Sequence, residues 1–553
     1  MTESVSEGAT KLDFETVLNN AVGEFGKYQL ISILLLAIPA ACSGFMAGDY
    51  IFTAARLPHR CAVPLCDGLE PEYLPDWISN AIPETATGLD ECTRYINITD
   101  SSNTTLGDVC PASMFDRNRT ESCNSFVFER MNSVVFDFNL QCQEWRRALA
   151  GTFNSVGGMV ALIMAGYISD NLGRRMSIIF FGFNEALTGL IRAFSVNYAM
   201  YVAFQFLQTA IGGGIFSASY ILATELVGPK YRVLTSATMS SAFAAGQMIV
   251  GLVASVVTEW RHLTLVLFCP VFLTVLYHWI VHESHRWLLS KNKQEQARAT
   301  LNYVAGVNGR TISLSDMEYL LTAIPRKMEA NKIDTKTPLF MRVVKSRVML
   351  RRCCTTPVWW ITTTFIYYGL SINSVSLSGN MYLNYVATAA VEIPGFWTAV
   401  LVLDRVGRKV TLFTGYMSCA ICCILFAFIP NNMYGLSLAL YLTGKFSIAA
   451  VFTSLYLYTS ELYPTRHRHS FLGYSSMMGR IGSIISPLTP PLMEYWSGIP
   501  SVLFGAMAVI SAVLVLSQPE TFGTKLPDTV EDADRVKIIL NLARLATSAA
   551  DCT

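Results

Sequence analysis

Charge is scarce in this sequence. Only 15% of its 553 residues are Asp, Glu, Lys or Arg, against about 25% in soluble domains. The missing charges leave room for long apolar runs, and hydrophobic residues make up 52% of the chain. The net charge is +1, and no basic patch is interleaved with aromatics, so no nucleic-acid partner is expected. Residues 1–27 are polar and lack the charged start and cleavage site of a secretory signal. There is no Gly-Lys-Ser/Thr phosphate loop, so ATP hydrolysis is excluded as a drive. Nucleophile elbows, paired catalytic carboxylates and Cys/His zinc spacings are missing too, which argues against an enzyme or a metal site.

What remains is a series of apolar stretches, each near the ~20 residues that span a bilayer as a helix. They fall at about 28–51, 147–168, 176–195, 198–224, 235–257 and 262–282, then 354–375, 381–403, 411–429, 434–459, 470–492 and 499–517. The expected fold is therefore an all-α membrane protein of twelve helices in two six-helix bundles. Its parts are an N-terminus at 1–27, a first bundle at 28–282, a polar linker at 283–353, a second bundle at 354–517 and a tail at 518–553. Lys and Arg crowd the linker and the loops at Arg174–Arg175 and Arg405–Lys409. Positive charge stays inside, so both termini are expected in the cytoplasm; the chain itself is expected at the plasma membrane, in contact with its lipid.

The 54–144 segment differs from the rest. It holds Cys61, Cys66, Cys92, Cys110, Cys123 and Cys142, with glycosylation sequons at Asn97, Asn103 and Asn118. An even cysteine count beside sequons reads as an extracellular, oxidised loop. Six cysteines allow 15 pairings, and spacing does not choose among them.

Three motifs occur twice. Asp170 with Gly173, Arg174 and Arg175 recurs as Asp404 with Gly407, Arg408 and Lys409. Glu225 with Arg232 recurs as Glu461 with Arg466. Glu283 recurs as Glu520. The spacings between copies are 234, 236 and 237 residues. Such a constant offset predicts parallel repeats around a central site. The acids and arginines sit where helices leave the membrane, and are expected to clasp the two halves together as a gate on the cytoplasmic side that breaks when the site opens inward. The alternative is that the arginines only set topology.

These loops resemble the signature of the major facilitator superfamily. Gly26-Lys27-Tyr28-Gln29, the cysteine-rich loop, Glu225-Leu-Val-Gly with Tyr231-Arg232, Glu283-Ser284 with Arg286-Trp287-Leu288, and Tyr458-Thr-Ser-Glu461-Leu-Tyr-Pro-Thr465 together resemble the organic cation, carnitine and organic anion transporter family. His282 and His285 depart from the family pattern, which has prolines there. The resemblance implies a polyspecific carrier working by alternating access. It also singles out Arg480, where cation carriers tend to have aspartate and carnitine or anion carriers arginine. Lys445 with Phe446 is similar to the carnitine branch.

Ionisable residues inside spans are costly and usually face a cavity or a partner. Arg480, Glu392, Lys445 and Glu185 with Arg192 are such residues. Arg480 with Glu392, beside Tyr367, Tyr368, Trp360 and Phe216, reads as a site for a zwitterion. A neutralising pair of Glu392 with Arg480 or Lys445 is the alternative. No cofactor is expected. Sodium or proton coupling is open, with Glu392 as its candidate. An anion exchanger of the same fold, or a receptor using the outer loop, are the competing functions, and the oligomeric state is open.

Overall fold

The computed structural model describes residues 14–64, 66–85, 88–98, 110–330, 343–430, 433–464 and 468–523. Every expected span is helical. The helices in those spans are α1 (Lys27–Thr53), α2 (Glu144–Leu172), α3 (Arg174–Ala193), α4 (Tyr198–Gly212 and Ile215–Leu226), α5 (Arg232–Val256), α6 (Trp260–Phe268, with Cys269–Leu276 and Tyr277–Ile280), α7 (Arg347–Asn373), α8 (Met381–Ala390 and Glu392–Val406), α9 (Arg408–Ala427), α10 (Tyr434–Leu462), α11 (Arg468–Ile485) and α12 (Ile499–Leu516).

Among the described residues, nine helices are long and apolar enough to cross a membrane. The other three, α3, α7 and α11, are interrupted by charge and hydroxyls. α3 carries Arg174, Arg175, Glu185 and Arg192. α7 begins with Arg347, Arg351 and Arg352. α11 carries Arg468 and Arg480. A polar helix in lipid needs neighbours that satisfy it, and all three pack within the bundles. Gly479 and Gly482 let α11 approach Trp360, Ile361 and Thr364 of α7 closely.

Two hydrophobic cores form, one per half. The first gathers Leu36, Phe181, Leu222, Met239 and Phe268, and the second Trp359, Ile366, Tyr416, Ile448 and Phe504. The side bearing the cysteine-rich loop is called outer here, and the side bearing the linker inner.

On the outer side, three short antiparallel ribbons form: His59–Cys61 with Phe126–Phe128, Glu84–Thr85 with Gly88–Leu89, and Thr93–Asn97 with Phe115–Ser122. One of the 15 pairings is realised: Cys61–Cys123, Cys66–Cys110 and Cys92–Cys142. The disulfides and a small core of Val63, Ile78, Ile82 and Phe115 replace the large core this loop lacks. Of the sequon asparagines, Asn118 is exposed, Asn97 is half-buried and Asn103 lies outside the described residues.

On the inner side, the first part of the linker is folded rather than loose. Its helices His285–Ser290, Gln294–Val307 and Leu314–Ala330 gather with helix Phe14–Val22, which precedes the first bundle. Val17, Leu18, Leu301 and Leu320 belong to that bundle's core. Asn308 anchors them: it accepts from the Tyr28 N–H at 2.9 Å and donates to the Val22 carbonyl at 2.7 Å.

Candidate functional site

The repeated motifs build two matching clusters at the inner rim. Gly173 and Gly407 open α3 and α9 with φ of 102° and 99°, a left-handed region that favours glycine. A side chain there would also strike the Glu283 or Glu520 carboxylate. Those carboxylates cap the helix starts. Glu283 accepts from the N–H groups of Arg174 at 2.8 Å and Arg175 at 3.2 Å. Glu520 accepts from those of Arg408 and Lys409, both at 3.0 Å. A negative charge at a helix N-terminus is favoured by the helix dipole and meets unpaired donors. Arg174 then reaches Asp170 at 2.7 Å and Glu225 at 3.2 Å, while Arg408 reaches Asp404 at 3.1 Å and Glu461 at 3.2 Å.

The clasp between halves, expected to break when the site opens inward, is open in this structure. Each cluster closes within its own half, because the acid of α4 or α10 is a nearer neighbour of the arginine than anything across the gap. Arg175 donates to the carbonyl of His278. Arg232 pairs with Glu15 at 3.7 Å. Arg466 lies outside the described residues. Among the described residues, no ion pair joins the halves on the inner side.

The halves meet on the outer side. Phe52 of α1 stacks on Tyr382 of α8 at 5.6 Å and meets Tyr385 edge-on at 5.0 Å. Tyr385 donates to Gln247 of α5 at 3.4 Å, and Gly151 of α2 abuts Pro487 beyond α11. Above these contacts lies a vestibule of about 1000 Å³, lined by Tyr50, Phe52, Arg56, Glu144, Tyr382 and Glu494 among others. The structure is thus closed outside and unlatched inside.

Beneath the outer contacts lies a buried pair. Lys445 Nζ is 2.8 Å from Glu392 Oε1, and both side chains are fully buried. Lys445 also donates to the Tyr367 carbonyl and to Ser371, each at 2.7 Å, and lies 3.7 Å from the centre of the Tyr367 ring. The Tyr367 hydroxyl donates to Glu392. Glu392 is therefore neutralised by Lys445, not by Arg480, and the arrangement of Glu392 beside Arg480 is not formed. Tyr367 faces this pair rather than an open hollow.

Arg480 stands elsewhere. α11 packs on α7 at Trp360–Ile361, about two turns, or roughly 10 Å, inward of Tyr367. Arg480 is half-buried, its backbone carbonyl accepts from Ser483 at 2.8 Å, and its guanidinium makes no hydrogen bond or ion pair with another described residue. Tyr456 of α10 lies within electrostatic reach of Arg480, Tyr368 and Tyr220 of α4. It is 37% exposed, yet packs edge-on against Trp360 at 4.6 Å. Trp360 itself is buried and donates to Thr459 at 3.1 Å. Phe216 joins from α4, 5.9 Å from Tyr220. The structure therefore brings Arg480, Tyr368 and Phe216 into the neighbourhood of Tyr456 and Tyr220, and leaves Trp360 behind Tyr456.

Tyr456, Tyr220 and Asp49 were not singled out in the sequence. Lys445, Phe452 and Tyr456 are spaced by 7 and 4, one stripe of a helix, so Tyr456 was open to discovery from Lys445. Asp49 is a lone acid near the end of an apolar run. It pairs with Arg192 at 2.6 Å, both fully buried, so Arg192 is not the partner of Glu185.

Comparison with known proteins agrees with this architecture. Residues 145–487 and 395–536 match the family model of the Major Facilitator Superfamily. The chain is 30% identical to an organic cation transporter protein of Drosophila melanogaster over 521 residues, covering 93% of each. It is 29% identical to organic cation/carnitine transporter 2 of Homo sapiens, again over 93% of each. Among solved structures, the xylose transporter XylE from E. coli, in a partially occluded inward open conformation, superposes with a TM-score of 0.58 at 15% identity, covering 89% of this chain and 99% of that one. At that identity the likeness concerns the fold. The chain belongs to the major facilitator superfamily and, within it, to the organic cation, carnitine and organic anion transporter family.

Proposed function

We propose that this chain is a polyspecific secondary transporter. It moves small organic zwitterions and cations, of carnitine-like or amine type, across the plasma membrane by alternating access. Both termini lie in the cytoplasm, so the outer loop faces the outside. The single observation carrying the substrate reading is Arg480, a guanidinium with no acidic partner in a region edged by aromatic rings. A guanidinium fork matches a carboxylate. The faces of Tyr456, Tyr368, Tyr220 and Phe216 suit an ammonium, at about 0.5–2 kcal/mol for each good cation–π contact. Glu392 and Lys445 act as an internal counter-charge rather than as direct ligands in this state.

A second reading is an organic anion exchanger. It is favoured by the same unpaired positive charge, since no free acid accompanies it. Uptake of labelled carnitine, tetraethylammonium and benzoate, with and without sodium, separates the two. Saturable carnitine uptake that tetraethylammonium inhibits is the expected result. Saturable benzoate uptake alone supports the exchanger. No uptake of any probe, with the protein at the cell surface, defeats the transport reading and leaves a receptor role for the outer loop.

A further inference from the structure

Glu185 is an ionisable group that the transport reading leaves unused. It lies midway along α3, fully buried, and neither carboxyl oxygen has a hydrogen-bond partner among the described residues. Arg192, seven residues further along and about 10 Å up the axis, is turned toward Asp49 and Gln205.

The surroundings of Glu185 are uncharged on every side that packs against it. α4 covers it with its own break. Gly212 approaches so closely that a Cβ there would lie 2.8 Å from the Cα and Cβ of Glu185. Gln208 donates to the Glu185 backbone carbonyl at 3.4 Å, not to the carboxyl group. α1 brings the Cys42 thiol within electrostatic reach. α6 presents Thr274 and Phe268 to the flanking turns at Gly182 and Gly189. Among the described residues, no cation acts on the Glu185 carboxyl group.

An ionised carboxylate with neither a protein donor nor a counter-charge is costly to keep, which favours the protonated acid. It also sits against the one place where α4 is interrupted, at Gly213 and Gly214 between two helical pieces. Interrupted helices in lipid are tolerated where the freed backbone meets protein or water. A shift of α4 at that break would bring water to Glu185 and let the proton leave.

We propose that Glu185 is a proton-binding site whose occupancy follows the conformational cycle: filled in this outward-closed state, released when the α3–α4 contact opens. The organic ion's transport is then linked to a proton. This rests on the transport reading above. It moves the coupling role away from Glu392, whose charge Lys445 already neutralises.

The test uses the full-length protein in proteoliposomes with labelled carnitine and tetraethylammonium. Counterflow at equal pH on both sides measures transport itself, without any proton gradient. With an imposed gradient, one-to-one linkage shifts the accumulation ratio by about tenfold per pH unit. Wild type is expected to show that shift. Glu185→Gln, which mimics the protonated acid, is expected to keep counterflow and lose the shift. Glu185→Asp should retain it and controls for folding. A wild type indifferent to the gradient, or a Glu185→Gln variant as sensitive as wild type, overturns the proposal. If counterflow fails even in wild type, the transport reading fails, and infrared spectroscopy decides separately. A protonated-acid carbonyl band present in wild type and lost in Glu185→Gln supports the site, and its absence in wild type overturns it.

Discussion

On the inner rim the two halves are near copies; in mid-membrane they are not. Each rim has a left-handed glycine, a capping glutamate, and an arginine held between two acids of its own half. The middles share no such match. The N-terminal half holds Asp49–Arg192 and the solitary Glu185. The C-terminal half holds Glu392–Lys445 and the unpaired Arg480. What repeats is helix-end chemistry, which any bundle of this kind needs. What does not repeat is the placement of buried charge, and that is where substrate and ion preferences can differ.

The sharpest way to break this comparison is to strand one charge of a mid-membrane pair. Lys445→Met leaves Glu392 buried without a counter-ion and is expected to cost about 3–5 kcal/mol. Adding Glu392→Gln should recover most of it, as measured by thermal unfolding of the purified protein. Asp49→Asn should behave similarly in the other half. A single variant as stable as wild type would mean that its pair is not closed.

Next in size is the charge that sets preference. Arg480→Asp removes a charge-assisted contact of about 1.5–3 kcal/mol, or roughly 10- to 100-fold in apparent affinity. Carnitine uptake should fall by that factor while tetraethylammonium uptake is kept or rises. Undiminished carnitine uptake would show that Arg480 does not touch the carboxylate.

The rims should respond less, and unequally. Glu520→Gln is expected to cost about 1 kcal/mol at neutral pH, the usual scale of a helix-end charge, and Glu283→Gln less. Burial pushes the Glu283 carboxyl above its ordinary value, against the N–H bonds from Ser284, Arg175 and Arg174. Burial acts on Glu520 too, but bonds from Phe522, Lys409, Arg408 and Thr521 outweigh it and hold that carboxyl low.

The smallest effect is the pH dependence that follows. A carboxyl held low in the fold contributes stability above its unfolded value, and loses it as pH falls through the folded value. One held high contributes below its unfolded value, and loses it as pH rises through the folded value. The gap between wild type and Glu520→Gln should therefore close on acidification. For Glu283→Gln, wild type should gain relative to the variant as the pH falls. Melting curves of both variants across the acidic range check this, and parallel curves would remove the distinction.

Much of the fold was legible because lipid imposes length and apolarity on each span. The repeat was legible because Asp, Gly, Arg and Glu must recur wherever a helix end is capped in the same way. Span edges were less so: α7 begins at Arg347 and α2 at Glu144, since polar residues continue a helix into water without an apolar signal. Pairing of buried charges was the least legible. Glu185 and Arg192 share a helix, yet Arg192 chose Asp49 on α1. Glu392 had two candidate bases and took Lys445. Partner choice depends on which helices touch and at what height, and one helix's pattern does not carry that. In this inward-unlatched state each rim arginine pairs with an acid of its own half, and the gate's closed arrangement belongs to the other state of the cycle.

The outer contacts have a further consequence for how this carrier rests. Rings of Phe52, Tyr382 and Tyr385 close the outer side, with one tyrosine–glutamine hydrogen bond and no ion pair among them. Apolar attraction of that type weakens on cooling. The share of molecules facing outward should therefore grow in the cold, so temperature helps to set this protein's resting posture.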